Sequence, residues 1–98
     1  MIEYLYNGIR AHAGNDLTIS AIVTNESGEA VTEGVSLVLH DKDRDTMLYM
    51  ANGTYNEETK EISFVIPKEI TQGKNGRYWY CIQHEGNALC FKEPIYLV

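Results

Sequence analysis

The chain has 98 residues, of which 44% are hydrophobic, and 8 Lys and Arg against 14 Asp and Glu give a net charge of −6. This length predicts one domain, residues 1–98, with a core of its own. The acidic balance excludes nucleic acid as an expected partner, and no stretch is apolar for long enough to predict a membrane span. Because no basic and apolar leader follows Met1, we expect synthesis in the cytoplasm.

Residues 1–10 alternate weakly between apolar and polar side chains. Ile2, Tyr4 and Tyr6 fall on one side, and Asn7-Gly8 ends the run. The segment therefore predicts an edge strand, or an arm that packs on a neighbouring molecule. Tyr4 and Tyr6 are candidate contact residues on either interpretation.

The middle of the chain predicts several strands. Residues 17–24 alternate as expected for a strand with one buried face, whereas 35–40 is almost continuously apolar and predicts a central strand. A further short strand is expected at 47–51, and residues 56–59 predict a turn.

The loop between the second and third of these strands is rich in charge. Asp41, Asp43 and Asp45 have the spacing that opens a calcium loop. Thr46 stands where such a loop needs Gly, and Asn52 stands where it needs a bidentate Glu. We therefore expect a solvated acidic loop without a metal, with cation binding as the open alternative.

The second half predicts strands at 61–66, 77–84, 88–91 and 95–98, with one helical turn at 67–71. Pro94 is expected to break the chain before the last strand. Seven to eight strands with turns every 8 to 12 residues are typical of an all-β sandwich.

The run at 76–84 is dense in aromatic residues. Side chains on a strand alternate between faces, so Tyr78 shares one face with Tyr80 and Ile82. Tyr78 is either a tyrosine corner, with its hydroxyl bonded to upstream backbone, or an ordinary core tyrosine. Trp79 then points outward, where it either marks a partner or ligand contact or is covered by a loop or by the N-terminal arm.

Neither cysteine predicts catalysis. Cys81 and Cys90 lie too far apart for a zinc ribbon, and they are either two reduced, half-buried thiols or a cross-strand disulfide. The disulfide requires a hairpin turn at Glu85-Gly86. His84 lies three residues from Cys81, hence on the opposite face of a strand. With no catalytic motif, we expect no enzyme activity, no catalytic residue and no cofactor.

Four segments together resemble a known family. They are the glycine-acid opening and alternating strand at 13–24, the polar turn at 27–31, the segment 66–71 and the run 76–80. Their order resembles the immunoglobulin-like domains of tailed-phage virion proteins, including the N-terminal domain of baseplate upper proteins. The resemblance implies an immunoglobulin-like β-sandwich of seven to eight mostly antiparallel strands.

The same resemblance implies a function. It predicts a non-enzymatic phage or prophage virion structural or assembly protein of the tail, the baseplate or an accessory component. Its partners would be other virion proteins and further copies of itself, first in the host cytoplasm and then in the virion. The alternative is a small ligand- or carbohydrate-binding module that uses Trp79 with Gln83 and His84.

Overall fold

The computed structural model describes residues 2–5, 8–88 and 92–98. Ten strands and one helical turn make up this part of the chain. The elements are β1 Ile2–Leu5, β2 Gly8–Ala11, β3 Leu17–Ala21, β4 Val35–His40, β5 Met47–Asn52, β6 Thr54–Asn56, β7 Glu61–Ile66, α1 Lys68–Thr71, β8 Gly76–His84, β9 Asn87–Ala88 and β10 Glu93–Leu97.

The strands form two sheets. The larger sheet has the order β1-β2-β10-β8-β4-β5, with β9 pairing to β8, and the smaller sheet has the order β3-β7-β6. Neighbours are antiparallel except β2 and β10, which run parallel. The prediction of an all-β fold is confirmed.

The hydrophobic core lies between the two sheets. Phe64 and the other inward residues of β7 are at most 2% exposed, as are Leu37 and Leu39 of β4. The alternating apolar residues of β3, β7 and β10 fill the space between the inner faces, as the period of two requires. All six residues of β4 are buried, which confirms that it is a central strand.

A glycine permits the chain to pass from one sheet to the other. Gly53 lies between β5 and β6, and its N–H donates to the carbonyl of Val35 at 2.8 Å. A Cβ at this position would approach Ile62 Cγ2 to 2.3 Å and Phe64 Cε1 to 2.9 Å. Only glycine fits so close to the core, so the crossing depends on it.

Several details differ from the expectations drawn from the sequence. The strand β2 was not predicted, and β3 ends at Ala21 rather than at residue 24. The strand β6 was not predicted, because three residues with polar ends give no clear alternation. Pro94 lies within β10 rather than before it, at the second position of the strand. Pairing of β10 with β2 begins only at Ile95, and proline is tolerated at the start of a strand.

The predicted helical turn is confirmed as α1, and it is tied to the loop at 12–16. The Asp16 carboxylate accepts a hydrogen bond from the backbone N–H of Lys68 at 2.7 Å. The Thr71 hydroxyl accepts one from the N–H of Gly14 at 3.0 Å and lies 3.3 Å from the carbonyl of Asn15. The side chain of Thr71 is fully buried, so this hydroxyl joins two segments far apart in sequence.

We expect Thr71→Val to destabilise the protein by about 1–3 kcal/mol, because a partly buried N–H loses its acceptor while the volume is unchanged. Thr18→Val, at an exposed position of β3, is the matched control and should change stability by less than about 0.5 kcal/mol. Denaturant unfolding followed by Trp79 fluorescence measures both. Equal midpoints for the two variants would contradict the role of the hydroxyl.

Candidate functional site

The alternation predicted for β8 is present in the structure. Tyr78 is 6% exposed and belongs to the core, and Tyr80 and Ile82 pack against the core from the same face. Trp79 and Cys81 occupy the opposite, outer face of the larger sheet. The functional question is therefore what lies over this outer face.

Trp79 is covered rather than open to solvent. It is only 9% exposed, and Cys81 beside it is 3% exposed. In the register of the sheet, Trp79 lies opposite His40 and Cys81 lies opposite Val38, both of which are also buried. The interpretation of Trp79 as an exposed platform is wrong, and the alternative of a covering loop is the one that the structure supports.

Two arginines cover the indole. The guanidinium carbon of Arg44 lies 4.0 Å from the centre of the Trp79 ring, and that of Arg77 lies 5.0 Å from it. We call this arrangement the Arg44–Trp79–Arg77 stack. A cation above an indole is attracted to the negative face of the ring, and a planar guanidinium can also stack on that ring.

The loop at 41–46 holds Arg44 in place. Arg44 itself has a positive φ of 70°, which is uncommon for a residue with a side chain. Asp43 supports the loop: its carboxylate accepts bonds from the N–H of Asp45, and from the N–H and the hydroxyl of Thr46, at 2.9, 2.9 and 2.6 Å. The hydroxyl and backbone N–H of Thr46 and the N–H of Asp45 lower the pKa of Asp43 to about 2.

Lys92, the residue before β10, also contacts this loop. Its ammonium group donates to the carbonyl of Arg44, and its nitrogen lies 3.9 Å from a carboxylate oxygen of Asp45. Asp41 accepts from the N–H of Lys42 at 2.7 Å. The acidic side chains of the loop thus serve its own backbone and Lys92. Among the described residues, no three His, Cys, Asp or Glu side chains form a group that could hold a metal.

The structure brings Cys81 to His40 rather than to His84. Sγ of Cys81 lies 3.8 Å from Nε2 of His40, and Nδ1 of His40 has no partner among the described residues. Burial lowers the pKa of His40, the positive charge of Lys92 lowers it further, and Asp45 and Asp43 oppose the shift. The imidazole is therefore favoured in its neutral form. Reasoning from sequence spacing missed this pair, because only the register of β4 against β8 brings it together.

Three other predicted positions have different outcomes. Tyr78 has Lys42 Nζ at 5.5 Å from its ring centre and no hydrogen bond among the described contacts, which favours the ordinary core tyrosine over the tyrosine corner. Tyr4 lies in β1 opposite Ile9. Tyr6 lies outside the described residues.

The hairpin between β8 and β9 determines which residues face each other across the two strands, and so whether a disulfide between Cys81 and Cys90 is in register. Gln83 pairs with Ala88 and His84 pairs with Asn87, so the turn is at residues 85–86. This is the turn that the disulfide alternative requires. Cys90 lies outside the described residues, and the disulfide stays a prediction.

Charge is distributed unevenly along the molecule. The loops 22–34 and 85–86, and the turn 57–60 with the first residue of β7, meet at one end of the two sheets, which we call the acidic end. This end has seven carboxylates and a single cation, Lys60: the acids are Glu26, Glu29, Glu33, Glu57, Glu58, Glu61 and Glu85. The surplus of six negative charges there equals the net charge of the chain.

The opposite end has the other cations. Arg44 and Arg77 are exposed there at the Arg44–Trp79–Arg77 stack, with Lys42 and Lys92 close by. Within the part of the chain that the structure describes, neither arginine of the stack forms an ion pair. The same end also has Asp41, Asp43 and Asp45, and the seven Lys and Arg residues outside the acidic end are balanced by seven Asp and Glu residues.

Two further surface features lie away from the stack. An open depression of about 540 Å³ is lined by Tyr55 and by polar side chains of the β6–β7 hairpin, namely Thr54, Asn56, Glu57, Glu58 and Ser63. On β5, Met47 and Met50 are 59% and 49% exposed.

No model of a known protein family matches the chain, and no curated protein sequence matches it. Within the described residues, no helix has the length and apolar character needed to cross a bilayer.

We expect the melting temperature to fall as the pH drops below about 6.5, because the unfolded state binds a proton at His40 that the folded state binds less readily. The contribution of His40 to the free energy of unfolding is therefore present above the ordinary pKa of 6.5 and is lost as the pH falls through this value. The melting temperature of the His40→Gln variant should fall less steeply than that of the wild type between about pH 7.5 and about pH 5. His12→Gln, at an exposed position, is the control and should follow the wild-type curve. Identical slopes for His40→Gln and wild type, measured by scanning calorimetry, would contradict this.

Proposed function

We propose that this chain is a non-enzymatic structural or assembly protein of a phage or prophage virion, acting in the tail, the baseplate or an accessory component through protein–protein contacts. The observation that carries the proposal is the order of the strands in the two sheets. It is supported by the exposed edges that this order leaves and by the burial of the reactive side chains.

The strand order supports an immunoglobulin-like topology. The smaller sheet, β3-β7-β6, has the order of strands B, E and D in that fold, and β10-β8-β4 has the order of G, F and C. The strand β5 next to β4 takes the place of C′, and β2 runs parallel to the last strand at the other side. Domains of this kind are the ones that the segments 13–24 and 76–80 resemble.

The terminal strands of the larger sheet support docking by strand addition. In the described sheet, β1 pairs only with β2, and β5 is the last strand at the opposite edge. A terminal strand offers N–H and C=O groups to a further strand, which is a common way for proteins to associate. We propose β1 as the docking edge, because its backbone has a strand partner on one side only in the described sheet.

The surroundings of Cys81 support a role without catalysis. Cys81 and His40 lie beside Trp79 on the outer face of the larger sheet, and both residues are at most 8% exposed. The lowered pKa of His40 favours the neutral imidazole, whereas a thiolate nucleophile is usually paired with a cationic one.

The depression at Tyr55 favours a second candidate function. It combines one half-buried aromatic ring with amide, carboxylate and hydroxyl groups, which is the chemistry of many carbohydrate sites. On this candidate, the chain is a small carbohydrate-binding module, and the β6–β7 hairpin rather than Trp79 holds the sugar.

If β1 is the docking edge, deleting residues 1–7 should lower the oligomeric fraction, measured by light scattering coupled to size exclusion. Tyr4→Pro should do the same without shortening the chain, because it removes one backbone N–H from the strand. Near-ultraviolet circular dichroism of Trp79 checks that the sandwich stays folded.

Met50→Lys, on the opposite terminal strand, is the matched control, because a lysine on an edge strand blocks pairing there. Its oligomeric fraction should equal that of the wild type. Unchanged assembly in both β1 variants would count against β1, and loss of assembly in Met50→Lys would move the docking edge to β5.

For the second candidate, a glycan array should show binding that Tyr55→Ala reduces by about tenfold or more, because stacking on the ring is lost. Tyr96→Ala, on the larger sheet, is the control and should bind as the wild type does. An array on which the wild type binds no glycan would eliminate the carbohydrate function.

A further inference from the structure

His40 lies at the junction between the larger sheet and the loop that covers Trp79. It is the last residue of β4, and the loop 41–46 begins directly after it. The residue is only 8% exposed, and the register places it opposite two uncharged side chains, Trp79 of β8 and Met47 of β5. A change of charge on the imidazole therefore occurs where the loop is anchored to the sheet.

Titratable and charged groups face the imidazole from three sides. On β8, Sγ of Cys81 lies 3.8 Å from Nε2. The carboxylates of Asp43 and Asp45 in the loop attract a positive imidazole, whereas the ammonium group of Lys92, just before β10, repels it. The ammonium group of Lys92 also donates to the carbonyl of Arg44. The side chain that repels a positive imidazole is therefore also one that holds the loop.

A protonated imidazole is poorly accommodated at this position. The charged ring has two N–H donors, and Nδ1 of His40 is buried without a hydrogen-bond partner among the described residues. A buried donor without an acceptor is costly, and the cost is larger when the group has a charge. The closed loop therefore disfavours the proton, and an arrangement in which water reaches Nδ1 accepts it more readily.

The contacts that hold the loop closed lie at the surface. The bonds of Asp43 to Asp45 and Thr46 are exposed, as is the contact of Lys92 with the carbonyl of Arg44. Arg44 also has a φ of 70°, a conformation that persists only while the surrounding contacts impose it. Exposed contacts of this kind open more readily than the strands of a core. The loop is therefore the part next to His40 that can move without unfolding the sandwich.

We propose that protonation of His40 opens the loop 41–46, so that the cover over Trp79 is a pH-sensitive switch. Above the ordinary pKa of 6.5 the ring is neutral in both arrangements and the loop stays closed. As the pH falls below this value, the open arrangement binds the proton first, and opening becomes more favourable by at most about tenfold for each pH unit. The carboxyl of Asp43 has a pKa of about 2 and stays ionised throughout this range.

Hydrogen exchange at single backbone N–H groups, followed by NMR, measures this opening. The reporters are the N–H of Asp41, which donates to the carbonyl of Thr46 at 2.8 Å, and the N–H of Arg44, which donates to the carbonyl of Asp41 at 2.9 Å. The reference is the N–H of Gly53, which donates to the carbonyl of Val35 at the other end of β4. EDTA in the buffer keeps cations away from the carboxylates of the loop.

We expect the protection factors of both reporters in the wild type, corrected for the intrinsic effect of pH on exchange, to fall at least about threefold between about pH 7.5 and about pH 5. At low urea concentrations they should stay constant, whereas the protection of Gly53 should fall, because only global unfolding exposes much new surface. The His40→Gln variant should lose the pH dependence, and His12→Gln, at an exposed position, should follow the wild type.

Lys92→Gln gives a second comparison that leaves His40 in place. Its reporters should exchange faster than those of the wild type at both pH values, because the contact with the carbonyl of Arg44 is lost. Their pH dependence should be weaker, because the charge that repels a protonated imidazole is gone. Circular dichroism confirms that each variant is folded at both pH values.

Three results would overturn the switch. The first is protection of the wild-type reporters that does not change with pH, and the second is a pH dependence that persists in folded His40→Gln. The third is equal protection and equal urea dependence at Asp41 and Gly53, which would show that the loop opens only when the whole domain unfolds. The switch operates within one molecule, so the outcome of the assembly tests on β1 does not affect it.

Discussion

The central pair of strands, β4 and β8, must be covered on both faces, and much of the structure follows from that requirement. The smaller sheet covers the inner face with Phe64 and its neighbours. On the outer face, Val38, Cys81 and Trp79 are all buried, although the described part of the chain forms no second sheet on that side. Part of the covering comes from the loop at 41–46, which brings an arginine over the indole. A charged side chain can do this because its planar cation stacks on the ring while its N–H groups stay in water.

The loop with the spacing of a calcium site also has a structural role in this arrangement. The carboxylate of Asp43 accepts three hydrogen bonds from within its own loop, and these bonds lower its pKa. The bonds allow the backbone to hold a positive φ at Arg44, and this geometry directs the guanidinium to Trp79. The acidic residues of the loop therefore stabilise the cover over β8.

The strands were the most predictable part of the fold. The bounds of β4 and β7 are those expected, and β8 begins one residue earlier than expected, because burial of one or both faces produces a clear pattern. The candidate site was less predictable. Trp79 could be placed on the outer face, but its cover depends on a loop conformation and on Lys92, which is 48 residues from Arg44. The pairing of His40 with Cys81 depends on the register between strands, which local spacing does not encode.

Composition alone also concealed how the charge is distributed over the molecule. A net charge of −6 suggests a uniformly acidic and self-repelling protein. Folding instead places the whole surplus at one end, because the loops there are rich in glutamate while the remaining seven carboxylates are matched by seven Lys and Arg residues. The loop over Trp79 belongs to the balanced part, because Asp41, Asp43 and Asp45 lie beside Lys42 and Arg44. Repulsion between copies is therefore strongest where acidic ends face each other, and screening by salt weakens it.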